Sequence, residues 1–294
     1  VQLMTPRDIS RAQVRQCLYA PLCDENGYMI NDPIIIKHSH DHWWLSIADT
    51  DVVLWAKGLA TGFGFDVQVH EPDVWPLAVQ GPKAETLMTG LFGDGIAALP
   101  YFGFGTFDVL GTRQVIARSG YSKQGGFEIY LEGGHLGGAL WDLVWEAGRG
   151  LEIRPGCPNL IERIEGGLMS YGNEFTRANN PLECGFKRYC HLEDGIDYIG
   201  REALLKIAED GPERHIMGVT FGGEALSGVA VPLAVTAEDG TVIGEVTSGI
   251  WSPRLGCNVG MSMIARGHWD AGTAVIVRDA DGAPHEGVVA SLPL

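Results

Sequence analysis

The stretch "SGYSKQGGFEIY" at residues 119–130 places a carboxylic acid and a phenol two positions apart, directly after a glycine-rich turn. Residues 127–132 alternate apolar and polar side chains, which is the pattern of a β-strand with one face on the core. Glu128 and Tyr130 therefore share the opposite face. Two interpretations are open: a solvent-exposed sheet face, or the wall of a pocket that binds a polar, flat, uncharged group.

A second candidate carboxylate, Asp32, interrupts an apolar segment from Tyr28 to Ile36 that is predicted to be a strand. Proline cannot donate to a sheet ladder, so Pro33 should mark an edge or a bulge there. A carboxylate among isoleucines costs free energy to bury without a partner. Asp32 is therefore either exposed at a simple turn or held near a cationic or protonated ligand atom.

Aromatic side chains are concentrated around these segments, and most of them should belong to the core. A subset facing a pocket could hold a cation through the ring quadrupole, at roughly 0.5–2 kcal/mol per contact. The aromatic residues concerned are Tyr19, Trp43, Trp44, Tyr121 and Tyr130.

Other chemically suggestive patterns favour ordinary structure. His38, His40 and His42 alternate as metal ligands can, but the flanking strands require a turn at this place, so no metal site is predicted. A serine nucleophile is disfavoured because Gln124 stands where a hydrolase elbow needs glycine two residues after Ser122. No glycine-rich phosphate-binding motif is present.

Composition narrows the class of protein further. The 294 residues allow two or three domains, and the formal charge of −16 argues against a nucleic-acid partner. Six cysteines without a Cys-x-x-Cys pair indicate reduced thiols in a cytoplasmic protein, and no apolar run is long enough for a membrane span. Because Val1 falls in a predicted helix, we expect an N-terminal segment to be missing.

The elements that must position these residues are predicted from periodicity. A hairpin around residue 40 precedes a helix capped by Asp49, and residues 78–145 repeat a related strand-and-helix plan. Asn159 should cap a helix that ends near Gly172. From Ile216 onward, short strands and Asp-Gly turns predict an antiparallel barrel. The predicted domains are residues 1–72 and 73–210, both α+β, and residues 211–294.

Six stretches, in this order along the chain, resemble the glycine-cleavage T-protein (aminomethyltransferase) family of folate-dependent one-carbon transferases. They are "DENGYMINDPIII", "LAVQGPKA", "SGYSKQGGFEIY", "ERIEGGLMSYGNEF", "YIGREALL" and "TSGIWSPRLGCNVGM". The resemblance implies an α+β fold with three domains in a cloverleaf. Two would be related α+β modules and the third a C-terminal antiparallel β-barrel.

Within this family, "RSGYSKQGGFEIY" and the segment from "PGCPNL" to "NPLECGF" are most similar to demethylases that act on dimethylsulfoniopropionate. Residues 122–126 read Ser-Lys-Gln-Gly-Gly where aminomethyltransferases have Thr-Gly-Glu-Asp-Gly. Asn159 stands where they have arginine. Both departures weaken the interpretation of this chain as an aminomethyltransferase that acts on a lipoyl-bound substrate.

The resemblance also implies roles for individual residues. Tetrahydrofolate would accept the methyl group, with Glu128, Tyr130 and Asp32 at the cofactor and Asp32 also catalytic. Tyr19, Tyr121 and Lys123 are the candidates for binding the sulfonium substrate. Two alternatives stay open: a relative acting on an N-methyl or O-methyl donor, and a folate-binding assembly or repair protein without turnover. The oligomeric state is open as well, with a homodimer as one option.

Overall fold

The computed structural model describes residues 1–47, 52–193 and 195–294, and within these ranges the chain forms fifteen β-strands and five α-helices. The strands are β1 Cys17–Tyr19, β2 Leu22–Cys23, β3 Met29–Asn31, β4 Ile34–Lys37, β5 Trp43–Ser46, β6 Val74–Gln80, β7 Phe104–Val109, β8 Thr112–Ala117, β9 Gly126–Glu132, β10 Arg214–Phe221, β11 Leu233–Thr236, β12 Val242–Ser252, β13 Cys257–Ala265, β14 Ala274–Arg278 and β15 Pro284–Ala290. The helices are α1 Val52–Gly62, α2 Ala84–Phe92, α3 Gly137–Gly148, α4 Leu160–Glu165 and α5 Arg201–Asp210. The predicted helix cap Asp49 lies outside the described residues.

The chain divides into two compact units. The sheet unit comprises residues 10–19 and 33–158, and the barrel unit comprises residues 1–9, 20–32 and 159–294. The predicted domain limits at residues 72 and 210 stay a prediction. In the described parts of the chain, no helix is long and apolar enough to cross a membrane.

The sheet unit contains two antiparallel sheets, ordered β6-β9-β8-β7 and β1-β4-β5. Side chains of strand β9 pack on both faces of the larger sheet. Phe127, Ile129 and Leu131 pack in one cluster with the buried residues of α2 and α3. Tyr130 packs in a second cluster, which includes residues of β1 and β4. Tyr130 is only 3% exposed, so the interpretation of a solvent-exposed face is wrong for this residue.

The barrel unit contains a closed six-stranded barrel in the order β10-β13-β12-β11-β14-β15. Antiparallel pairing of β10 with β15 closes it, with Gly218 opposite Ala290. Alternate residues such as Val219, Val235 and Val277 are fully buried and fill the interior. The α+β class and the C-terminal antiparallel barrel are thereby confirmed, as are turns at the two predicted Asp-Gly positions.

Two predictions of local structure need correction here, and one strand was missed. The opening residues form two single 3-10 turns, Gln2–Met4 and Ile9–Arg11, because Pro6 lacks the N–H of a continuous helix. The apolar segment around Asp32 is not one strand. Pro33 ends β3, which pairs with β2 in the barrel unit, while β4 pairs with β1 and β5 in the sheet unit. Strand β7 was not predicted.

The helix after Asn159 begins as predicted but is shorter. The Asn159 Oδ1 accepts hydrogen bonds from the backbone N–H of Ile161 and Glu162, at 3.0 and 3.4 Å. The helix ends at Glu165, not near Gly172. Gly167 adopts a φ of +63°, a left-handed conformation that glycine tolerates and that ends a right-handed helix.

A buried ion pair fixes this short helix to the barrel. The Arg163 Nη1 lies 2.8 Å from Glu174 Oε2, and Arg163 Nη2 donates to Ser248 Oγ on β12 at 2.7 Å. Ser248 also donates to Glu174, and the backbone N–H of Ser170 donates to Glu174 Oε2 at 2.7 Å. Both charged side chains are almost fully buried, so each charge is compensated by the other.

Replacing one partner of this pair should leave an uncompensated buried charge. We expect Glu174→Gln to lower the free energy of unfolding by about 3–5 kcal/mol, measured by urea denaturation. The control is Glu146→Gln, which breaks the exposed pair with Arg149 and should cost less than about 1 kcal/mol. Equal costs for the two variants would contradict a structural role for the buried pair.

Candidate functional site

Glu128 lies in the middle of β9, where the sheet leaves room beside it. Its direct cross-strand neighbours are Ala78 on β6 and Ala117 on β8. In an antiparallel sheet such neighbours project to the same face, so only methyl groups flank the carboxylate there. From these small neighbours we infer a recess in the sheet face at the acidic group.

One side-chain hydroxyl hydrogen-bonds to this carboxylate. Ser119 Oγ donates to Glu128 Oε2 at 2.5 Å. Burial raises the pKa of Glu128 above its ordinary value, while the hydroxyl groups of Ser119 and Tyr130 act to lower it. The Cys17 thiol on β1 is also close, since burial and the charge of Glu128 together raise its pKa to about 12. Cys17 is therefore a neutral neighbour at physiological pH.

Tyr130 supplies a buried donor next to Glu128. Its ring centroid lies 6.2 Å from that of Trp44 on β5. Burial and the nearby Glu128 raise the pKa of Tyr130, so the hydroxyl stays protonated. Glu128 and Ser46 are both near enough to influence this pKa, but neither of them, nor any other described group, meets full hydrogen-bond geometry with the hydroxyl. An unpaired buried hydroxyl costs free energy and indicates a place where a polar ligand can supply the missing partner.

The turn before β9 is tied to β6 by the amide of Gln80. Its Nε2 donates to the carbonyl groups of Ser119 and Phe127, at 3.0 and 3.1 Å, and its Oε1 accepts from Ser122 Oγ at 2.8 Å. A Cβ atom at Gly120 would lie 2.1 Å from Gln80 Oε1. Glycine is therefore required here for the amide to approach the backbone this closely.

The three predicted substrate residues lie in the same unit as Glu128 but are less enclosed. Tyr121 is 37% exposed and Lys123 is exposed, both in the turn that precedes β9. Tyr19 is half-buried on β1, two residues after Cys17 and hence on the same side of the strand. Their substrate-binding roles stay predictions.

Asp32 belongs to the barrel unit, directly after β3. Its backbone N–H donates to Asn31 Oδ1 at 2.8 Å, and its side chain is half-buried. The buried thiol of Cys184 is close by: burial, then Glu183 and then Asp32 raise the pKa of that thiol. The Arg214 Nε lies 3.2 Å from Glu183 Oε1 and so partly neutralises this acidic neighbourhood. The catalytic and cofactor-binding roles of Asp32 stay predictions.

The alternating histidines lie in the turn between β4 and β5, as predicted. His38 and His42 stack with ring centroids 4.7 Å apart, and His38 also packs on Trp44. Burial and the neighbouring His42 lower the pKa of His38 to about 4, so it is neutral at physiological pH. Across the described residues, no group of His, Cys, Asp and Glu has an arrangement that could hold a metal ion.

Comparison with known proteins places these features in a family. Residues 1–194 match the family model for the GCVT N-terminal domain, and residues 214–294 match that for the glycine cleavage T-protein C-terminal barrel domain. The chain belongs to the glycine-cleavage T-protein family. The recognition made from its sequence motifs is thereby confirmed.

Individual members of the T-protein family show graded similarity to the chain. It is 46% identical over 286 residues to the dimethylsulfoniopropionate demethylase DmdA of Ruegeria pomeroyi, covering 96% of this chain and 76% of that protein. It is 32% identical over 289 residues to an aminomethyltransferase of Symbiobacterium thermophilum, covering 94% and 76%. The crystal structure of aminomethyltransferase T from Bartonella henselae shares the fold, with a TM-score of 0.81 at 23% identity over 99% of this chain and 79% of that one.

The pKa of Glu128 predicts a pH dependence of stability. Because its pKa is raised in the folded state, the folded protein binds more protons than the unfolded chain above the ordinary carboxyl value of 4.5. This contribution to stability is therefore present at low pH and is lost as the pH rises through the raised pKa. We expect Glu128→Gln to abolish this loss, measured as the melting temperature between about pH 4 and pH 8.

The control for this measurement is Glu132→Gln, which changes an exposed carboxylate on the same strand. It should leave the pH dependence of the melting temperature as in the wild type. If Glu128→Gln gave the same curve as Glu132→Gln, the burial of the Glu128 charge would be refuted.

Proposed function

We propose that the protein is a tetrahydrofolate-dependent demethylase that transfers a methyl group from dimethylsulfoniopropionate to tetrahydrofolate. The products are 5-methyltetrahydrofolate and 3-methylthiopropionate. The observation that carries this proposal is the 46% identity to a dimethylsulfoniopropionate demethylase across 96% of the chain. Membership of the glycine-cleavage T-protein family, whose members use folate, supports the choice of methyl acceptor.

The recess around Glu128 suits a pterin ring. A pterin presents an amino group and a ring N–H side by side, and a carboxylate can accept hydrogen bonds from both. The unpaired Tyr130 hydroxyl can donate to an acceptor on the same flat ring. When bound, tetrahydrofolate supplies the nucleophilic nitrogen N5, and Glu128 fixes the orientation of the ring that carries it.

The transfer itself asks little acid–base chemistry of the protein. The C–S bond of the sulfonium breaks, the methyl carbon bonds to N5, and the sulfur leaves as a neutral thioether that needs no proton. Alignment of nitrogen, carbon and sulfur can contribute about 7–11 kcal/mol. Bound tetrahydrofolate would take up the positive charge that leaves the sulfur, and the displaced N5 proton would pass to solvent. We assign to Asp32 the stabilisation of that charge, a smaller task than in aminomethyl transfer.

The substrate must also be held and enclosed. Tyr19 and Tyr121 are proposed to line the site for the sulfonium, where aromatic faces attract a cation. Lys123 is proposed to bind the substrate carboxylate. Its φ of +59° is uncommon for a residue other than glycine, and the hydrogen bond from Ser122 to Gln80 ties the turn that carries it.

A second candidate function is transfer from an N-methyl or O-methyl donor, as in other branches of the family. The 32% identity to an aminomethyltransferase favours it to a lesser degree. Residues 122–126 lack the carboxylates that the aminomethyltransferase pattern places in this turn, which favours the sulfonium donor. A folate-binding protein without turnover is the third possibility, and only an activity measurement separates it from the first two.

Partners and location follow from composition alone. The charge of −16 disfavours a nucleic-acid partner, and scattered cysteines favour the reducing cytoplasm. A homodimer is compatible with the sequence, and analytical ultracentrifugation would establish the oligomeric state.

The proposed reaction predicts which methyl donor is consumed. Incubation with tetrahydrofolate and dimethylsulfoniopropionate should release 3-methylthiopropionate, detected by gas chromatography. N-methyl and O-methyl donors at the same concentration should give no comparable turnover. Folate binding with no thioether released would reject the proposed activity.

Two substitutions separate the proposed roles of the carboxylates. Glu128→Ala should weaken tetrahydrofolate binding by about a hundredfold or more, because two hydrogen bonds to a charged group are lost. Asp32→Asn should leave binding within about twofold and lower kcat roughly tenfold to a thousandfold, as loss of an electrostatic group does. Glu132→Ala is the control for β9 and should change neither. Normal folate binding by Glu128→Ala would refute the assignment of the pterin site.

A further inference from the structure

We propose that Ser119 is a positioning residue, whose hydroxyl fixes the orientation of the Glu128 carboxylate so that it can accept hydrogen bonds from the pterin ring. This inference rests on the proposed folate-dependent function. It adds a residue that the sequence motifs did not single out. Ser119 acts through Glu128 and need not touch the ligand.

The backbone at Ser119 is held on both sides. The preceding Arg118 exchanges two hydrogen bonds, each 2.9 Å long, with the segment before β7: its N–H donates to Gly103 and its carbonyl accepts from Phe102. The Ser119 carbonyl accepts from Gln80 Nε2 at 3.0 Å. Ser119 itself is 3% exposed. Its hydroxyl is therefore presented to Glu128 from a fixed position.

The electrostatic surroundings of Glu128 make this hydroxyl important. The titratable groups packed nearby are Cys17 of β1 and Tyr130 of β9, both neutral at physiological pH. His38, directly after β4, packs at a tilt against Trp44 and is also neutral. Among the described residues, no lysine, arginine or histidine forms an ion pair with Glu128. The charged carboxylate therefore depends on hydroxyl donors for its stabilisation.

Loss of the hydroxyl should have two effects. The carboxylate loses the contact that selects its rotamer, and its pKa rises further because burial is no longer offset by Ser119. Pterin N–H groups need the ionised form as acceptor. As the pH falls, Ser119→Ala should therefore lose folate affinity at a higher pH than the wild type does.

The experiment compares Ser119→Ala with Ser119→Thr, which keeps the hydroxyl, and with Ser122→Ala, which removes the other serine hydroxyl bonded in this turn. Tetrahydrofolate affinity is measured by calorimetry as a function of pH. For Ser119→Ala we expect folate affinity to fall roughly tenfold at neutral pH. We also expect the acid limb of the affinity profile, the pH range over which affinity is lost on acidification, to move to higher pH. Ser119→Thr should restore the limb, and Ser122→Ala should leave it unmoved. KM for folate should rise while kcat changes little.

A second readout separates this inference from the proposed function. Carbon-13 NMR of the Glu128 carboxyl in the ligand-free protein should show a higher pKa in Ser119→Ala than in the wild type. An unchanged Glu128 pKa and acid limb would overturn the role of Ser119 alone. Normal folate binding by Glu128→Ala would overturn the site itself. If Ser119→Ala does not fold, Ser119→Cys, which is nearly isosteric and a weaker donor, must show the same shifts.

Discussion

The structure around the site depends on one constraint, the burial of a carboxylate on a strand whose two faces are both covered. β9 packs Phe127, Ile129 and Leu131 against α2 and α3, and its other face lies toward the cluster that includes β1 and β4. Burial of charge costs free energy unless hydrogen bonds offset it. Among the described residues, the side-chain hydrogen bond that offsets this cost for Glu128 comes from the Ser119 hydroxyl, which leaves acceptor capacity for a ligand.

This arrangement needs a turn that does not move. The side chain of Gln80 on β6 donates hydrogen bonds to the carbonyl groups of Ser119, before β9, and Phe127, within β9, and it accepts one from Ser122. Gly120 lets the amide approach the backbone so closely that no other side chain fits. A site whose supporting groups are fixed in advance loses less entropy when a ligand binds. The glycine-rich turn therefore contributes rigidity here, although glycine is intrinsically the most flexible residue.

Local sequence patterns predicted those features that depend on near neighbours. Alternation placed Glu128 and Tyr130 on one face, and the helix cap at Asn159 and the turns of the barrel followed from short motifs. The division of the chain at Pro33 between two units depends on which distant strands pair with β3 and β4. Ser119 was missed for the same reason. Its contact with Glu128 requires the register that sets Ala117 opposite Glu128.

The chemistry of the recess favours one of the two reactants over the other. A buried carboxylate attracts cations, which would favour binding of the sulfonium in the recess. The sulfonium substrate, however, offers no N–H donor to a carboxylate, and its own carboxylate, the acceptor it could present to the Tyr130 hydroxyl, would be repelled by Glu128. A pterin ring offers both on one rigid edge. Satisfying a donor and an acceptor that are already buried gains more than a charge contact that leaves the hydroxyl unpaired. Hydrogen-bond complementarity therefore supports our proposal that this recess binds the folate and that the aromatic residues bind the cation.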